Sequence, residues 1–447
     1  PPFACSNLIG MPIFVSDLQG WVQPADVFVA LHLNDENAFW LDREIHATER
    51  FSILGASAQV FSESSAAIDF LKGQLIVEND ERLDLPFEFR PGLVGFLAYD
   101  GESKFLQIDR AMVFDHDRKV MYFIGDFAQQ KDFDSWHNAA LLRLALCAGE
   151  LLAYRLSNEA LAAHRAVVRH SSEEYLRLIE SAQAHIAAGD VYQLCLTNQI
   201  ELEVSGDPLL TFIDLRSSNP APYAAYLRFG SQSIICSSPE QFLKIDSNGI
   251  ISSKPIKGTR RRDPDPVVDS ALAQELAEDE KERAENLMIV DLMRNDIGRV
   301  AEVDSVQVTK LFDVESYATV HQLVSTVEGK LAAGCDAGDA ISSAFPGGSM
   351  TGAPKARAMQ IIDELEGKAE SRGRGIYSGA IGYLTHAGVA DFGMTIRTIV
   401  VDGQNATIGV GGGITIDSQP TAELEETKLK AAALLRALNA PNPWSTQ

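Results

Sequence analysis

The chain has 447 residues, a formal net charge of −24, 46% apolar side chains and 22% charged ones. That length can bury a sizeable core as one large domain or two to three ordinary ones. Its acidity disfavours nucleic acid and anionic membrane as partners, because both need a basic face, and no apolar run reaches the roughly 20 residues needed to span a bilayer.

The first 130 residues mix short strand-like runs with turn residues; GLVGFLAYD and KVMYFIGDF read as buried strands. Residues 135–165 are rich in Ala and Leu with a helical period, and Arg143 and Glu150 interrupt their longest apolar run. HSSEEYLRLIESAQAHIAAGD predicts a helix, opened by a Ser171/Glu174 capping box and stopped at Gly189. A boundary near residue 170 divides the chain into 1–170 and 171–440. Beyond it, VYQLCLTNQIELEV, AYLRFG, SIICSSP and FLKIDSNGIISSKPI read as strands, followed by one long charged helix over about 269–296. The last hundred residues hold a Gly-rich loop, three more strands and a final helix from about Thr421. Strands that pair as hairpins, without strict alternation with helices, predict an antiparallel α+β fold.

The five cysteines (Cys5, Cys147, Cys195, Cys236 and Cys335) show no CxxC spacing. This argues against structural zinc and fits free thiols in a reducing compartment. No signal-peptide pattern opens the sequence, so the expected location is cytoplasmic.

Several residues stand out chemically. Glu282 and Glu285 are three apart in one predicted helix, as are Glu423 and Glu426 in another. Each pair shares a helix face. Two such faces are either solvated or, if they meet, a hard-oxygen site suited to Mg²⁺. FPGGSMTGAPK, from Phe345 to Lys355, is either a tight turn or a cradle of N–H groups for an anion. It is not an ATP-binding loop, because Ala353-Pro354 replaces the required Gly-Lys. The run GVGGGI permits close approach of a ligand, or a bulge. Arg397, in the apolar strand pattern GMTIRTIVV, needs either an internal salt bridge or a ligand carboxylate. Tyr377 reads as packing. Glu240, after an apolar strand and a proline, is a candidate general acid or base. Lys257, in KPIKGTRRR, is a structural lysine by default. Neighbouring Lys254 and Arg260, or an apolar pocket, would lower its pKa and make it a nucleophile.

SPE, PIKGT, RAENLMIVDLMRNDIGRV, HQLVST, AFPGGSMTGAPK, IYSGAIGY, TIRT, GGGI and EET occur in that order. This arrangement resembles the chorismate-utilising enzymes: anthranilate synthase component I, aminodeoxychorismate synthase component I, and the isochorismate and salicylate synthases. The likeness is dense over 171 to about 435 and extends weakly to RFSILG, Arg50–Gly55. It implies large antiparallel β-sheets forming a sandwich flanked by helices. It also implies chorismate as substrate and Mg²⁺ held by Glu285 and Glu426, with Glu282 and Glu423 nearby. Lys257 would be the nucleophile and Glu240 the general acid. Tyr377, Arg397, Thr259, Lys430, Gly411, Gly412, Gly413 and the Ser349–Thr351 loop would bind substrate. Anthranilate synthases resemble PIAGT at the lysine, and aminodeoxychorismate synthases PIKGT. The water-activating lysine of the isochorismate enzymes matches Gln193 here, which cannot act as a base. Gln322 stands where many relatives have His. No glutamine-hydrolysing triad is evident, so ammonia would come from a separate glutamine amidotransferase subunit or from free ammonium. In relatives the N-terminal part can hold tryptophan, and DREIHATERFSILG does not decide whether this one does. The alternatives are anthranilate synthase component I and a non-catalytic chorismate-binding subunit.

Overall fold

The computed structural model describes residues 11–45, 50–63, 84–317, 320–367 and 373–444; residues 46–49, within DREIHATERFSILG, lie outside them. Among the described residues the strands form two antiparallel sheets, one of 12 strands and one of 10. Their facing sides enclose one apolar core, with Phe39, Leu41, Leu227 and Ile234 from the larger sheet against Val94, Phe96 and Leu106 from the smaller. This is the sandwich that the family likeness implies. Its strands are buried on both faces: in Asn37–Asp42, Phe39 and Leu41 face the other sheet, whereas Ala38 and Trp40 pack under helices. Trp40 stacks on Phe28 and meets Phe212 edge-on, each ring carried by a helix covering the outer face.

Strands from both sides of residue 170 interleave. Asn37–Asp42 pairs with Tyr223–Phe229, and Gly92–Leu97 pairs with Ala380–Thr385. The chain before residue 170 therefore supplies part of each sheet on which the later residues are mounted.

The helix Ser172–Ala187 has its expected capping box: Glu174 N–H donates to Ser171 Oγ at 3.2 Å, and Ser171 N–H to Glu174 Oε2 at 2.8 Å. Gly189 follows at φ +82°. The last helix, Pro420–Ala437, begins where expected. Two expectations are corrected. The long charged helix is two helices, Pro266–Glu278 and Glu280–Gly298. Asp279 is extended between them, and its carboxylate accepts from Glu282 N–H at 3.0 Å, capping the second. Residues 135–165 are likewise not one helix. Gln130–Leu146 and Glu150–Ser157 are separated at Gly149 (φ +86°), and Ala162–Val168 is a strand. No helix among the described residues is long and apolar enough to cross a membrane.

Candidate active site

Lys257 stands on the strand Ile256–Arg261, which pairs with Val320–Lys330. The register slips between Lys257 and Thr259, leaving Gly258 as the extra residue at φ +79°. Such a bulge re-aims the adjacent side chain. A Cβ at Gly258 would lie 2.8 Å from Leu276 and 3.0 Å from Glu282, so the position requires glycine. Lys257 Nζ lies 3.0 Å, and Glu285 Oε2 3.8 Å, from where a Cβ on Gly413 would stand. Nucleophile candidate, acidic helix and glycine strand thus meet at one point.

The expected cause of a lowered lysine pKa is not present. Lys254 pairs with Glu315 at 3.3 Å, and Arg260 with Glu275 and Asp279 at 3.1 and 2.8 Å. Burial of Lys257 favours the neutral amine, but Glu285, Cys195, Glu240 and Glu426 outweigh it and raise the pKa above the ordinary lysine value. Glu240 is also shifted upward. It is buried, and desolvation pushes its carboxyl up to about 7 against the opposing pull of the Ser349 hydroxyl and the Lys257 charge. A carboxylic acid poised near neutral pH suits general acid chemistry.

The loop FPGGSMTGAPK is held from behind. Lys355 donates to Asp296 at 2.6 Å and to the Ala344 carbonyl at 2.8 Å. Arg374 donates to the Met350 and Cys195 carbonyls, both at 2.7 Å, and pairs with buried Glu366. Thr351 spends its hydroxyl on the Gly347 and Gly348 carbonyls and its N–H on Gly348. It closes the turn, which leaves Ser349 as the loop side chain turned to Glu240. Neither the Lys355–Asp296 pair nor Arg374 was singled out in the sequence. The first had a signal: a lysine opening a helix opposes the dipole and needs a counter-charge.

Arg397 lies not within a strand but between Ala390–Met394 and Thr398–Asp402, at φ +50°. Among the described residues no carboxylate pairs with its guanidinium. Burial lowers its pKa, with Tyr377 and Glu426 opposing. The internal salt bridge is therefore not realised, and the guanidinium is available to an anion. Tyr377 is buried against Gly409, where any Cβ would strike its ring.

GVGGGI is a regular strand without a bulge, within Asn405–Ile414 and paired to Gln193–Ser205. Its glycines differ in purpose. Gly411 is pressed against the Leu196 carbonyl, whereas Gly412 and Gly413 face Glu423, Lys430 and Lys257. Lys430 donates to the Gly411 carbonyl at 2.9 Å and pairs with Glu426 at 2.7 Å. Thr259 is exposed on its strand, opposite buried Gln322. Gln193 is buried at the start of its strand, its Oε1 without a hydrogen-bond partner.

The two acidic helix faces do meet. Burial and Glu285 raise the Glu282 pKa; burial raises that of Glu285, against Lys257 and Lys281 and with Glu423 and Glu426 adding to it. Burial works the same way on Glu426, but Lys430 outweighs it and holds the carboxyl low. Among the described residues no three acidic, imidazole or thiol groups already converge as a metal cage. Mg²⁺ needs only one or two carboxylates plus water or substrate oxygens. The buried Glu285 Oε1, which has no hydrogen-bond partner among the described residues, supplies a hard-oxygen ligand, so the residues fit that ion.

The profile of the chorismate binding enzyme family matches residues 36–436. The chain belongs to this family. It is 43% identical to the aminodeoxychorismate synthase of Streptomyces griseus over 87% of this chain and 55% of that protein. It is 34% identical to anthranilate synthase component 1 of Thermus thermophilus over 95% and 96% of the two chains. The crystal structure of anthranilate synthase component I from Streptococcus pneumoniae superposes with a TM-score of 0.75 at 32% identity, covering 86% of this chain and 92% of that one. The chain spans 55% to 64% of the Streptomyces aminodeoxychorismate synthases.

Proposed function

We propose that the chain carries out the aminodeoxychorismate synthase component I reaction, converting chorismate and ammonia to 4-amino-4-deoxychorismate. The observation that carries this is Lys257, aimed by a glycine bulge at the meeting point of Glu285 and the glycine strand. A proton moved from the Lys257 ammonium to Glu240 creates both active forms at once. The free amine attacks C2 of the ring, both conjugated ring double bonds shift, and Glu240 returns the proton to the C4 hydroxyl, which leaves as water. Ammonia then attacks C4 and both double bonds shift back. The lysine nitrogen is expelled from C2, so nitrogen replaces the oxygen at the carbon that lost it. Arg397 and Tyr377 hold the enolpyruvyl carboxylate, with further contacts from Gly412, Gly413, Ser349, Thr259 and Lys430.

Glu285 and Glu426 would hold Mg²⁺, with Glu282 and Glu423 behind them. The ion would neutralise the ring carboxylate and cancel the charges that keep Lys257 protonated. Gln193 cannot serve as a base for water, which disfavours isochorismate formation. Gln322 is limited to hydrogen bonding. Ammonia enters as free ammonium or from a glutamine amidotransferase subunit. The test is product identity: with chorismate, Mg²⁺ and ammonium chloride the expected product is 4-amino-4-deoxychorismate. Anthranilate with pyruvate would make Lys257 a bystander and the second branch correct. Ligand binding without turnover would leave a non-catalytic binding subunit.

A small pocket of about 20 Å³, room for a single water, lies at the sandwich core beside Arg43, Phe51, Phe87, Phe89, Tyr383 and Asp391. Its aromatic walls and its ion pair match the chemistry of an aromatic amino acid such as tryptophan, which would enter only by parting those walls. Calorimetric titration with tryptophan should show saturable binding that Arg43→Ala weakens; no heat at millimolar tryptophan would remove this assignment.

A further inference from the structure

We propose that Lys281 is a built-in cation that occupies the metal position between the two acidic helices and swings out to solvent when a divalent ion binds. The inference rests on the reading of the four glutamates as a Mg²⁺ site. Each glutamate has a basic neighbour, and the neighbours differ in how they are held. Glu282 has Arg260 at 3.9 Å, but Arg260 is anchored to Glu275 and Asp279. Glu426 has Lys430, which shares its helix and is fixed to the Gly411 carbonyl. Lys281 alone among them bridges the helices, 3.7 Å from Glu285 Oε1 and 3.4 Å from Glu423 Oε1.

Both distances exceed the roughly 2.7–2.9 Å of a well-formed charge-assisted hydrogen bond. The side chain is 47% exposed, whereas those of Glu285 and Glu423 are 9% and 6% exposed. Two buried carboxylates on facing helices need a positive charge between them. A lysine on a flexible stem supplies one charge and can leave; a hydrated Mg²⁺ supplies two and brings water to the otherwise unbonded Glu285 Oε1. The signal in the sequence is the i, i+4 spacing of Lys281 and Glu285.

The test uses Mn²⁺ binding by electron paramagnetic resonance, together with amine-acylation rates at Lys281 read by mass spectrometry with and without Mg²⁺. Lys281→Gln should bind Mn²⁺ at least about fivefold tighter, because a competing charge at contact distance is removed. In the unaltered protein, saturating Mg²⁺ should speed Lys281 acylation by about threefold or more, from the gain in exposure and lost pairing. Glu285→Gln should abolish that acceleration. Metal binding with unchanged or slower acylation overturns the displacement, even if Lys281→Gln binds tighter, since repulsion at a distance would suffice. If Glu285→Gln and Glu426→Gln bind Mn²⁺ as well as the unaltered protein, the glutamate site itself is wrong. No binding by either the unaltered protein or Lys281→Gln overturns both.

Discussion

At the residue scale, chemistry depends on two groups whose protonation is set by one another. Glu240 is held up to about 7 by burial, and Lys257 is held protonated by surrounding carboxylates. The active pair, amine and acid, is one proton transfer away from the resting pair. The active and resting pairs each carry one proton in all; below about 7 Glu240 takes up a second and cannot accept one from Lys257. The rate constant kcat should therefore fall on the acid side with an apparent pKa near that value. Glu240→Gln should lower kcat by about 10²–10⁴ and remove that limb. An unchanged acid limb in the variant would assign the titration to another group. Lys257, Glu240 and Arg397 stand out from their local sequence pattern and the four glutamates from their i, i+3 spacing, while the roles given to them come from the family likeness. Lys281, Lys355 and Arg374 were not singled out, since their importance lies in contacts with Glu423, Asp296 and Glu366, which an unpaired reading of the chain does not bring together.

At the element scale, the bulge at Gly258 matters more than strand propensity. A one-residue slip exchanges the faces of a strand, so this extra residue decides which way Lys257 points. Gly258→Ala places a Cβ at 2.8 Å from Leu276 in a backbone region that side chains rarely adopt. It should cost about 1–3 kcal/mol and lower kcat more than tenfold; urea unfolding and steady-state kinetics measure the two. Full activity would show that the bulge does not aim the lysine. Helix ends were less legible than helix existence. Asp279 ends one helix and caps the next within a continuous charged pattern, and only its extended backbone marks the break. Strand Ala162–Val168 begins inside the stretch 135–165, whose Ala- and Leu-rich composition has a helical period, and its burial does not alternate cleanly, His164 and Arg165 both being exposed.

At the scale of the whole molecule, two large sheets act as a frame for side chains far apart in the chain. Strands of the double-sided kind read as continuous apolar runs, AFWL for example, so alternation gave little warning of sheet order or of the interleaving across residue 170. The α+β class and the sandwich were nonetheless expected, the first from hairpin-like spacing and the second from the family likeness. What the frame achieves is to bring Glu240, Lys257, Glu285, Arg397, Gly413 and Glu426 within reach of one another's charges or side chains. The central claim is that Lys257 is the nucleophile. Rapid quenching with chorismate, Mg²⁺ and limiting ammonium, followed by peptide mass spectrometry, tests it directly. The expected result is a transient adduct on the peptide bearing Lys257, with the mass of chorismate less water, that decays as 4-amino-4-deoxychorismate forms. Formation of that product with Lys257 unmodified throughout the first turnover would contradict the account.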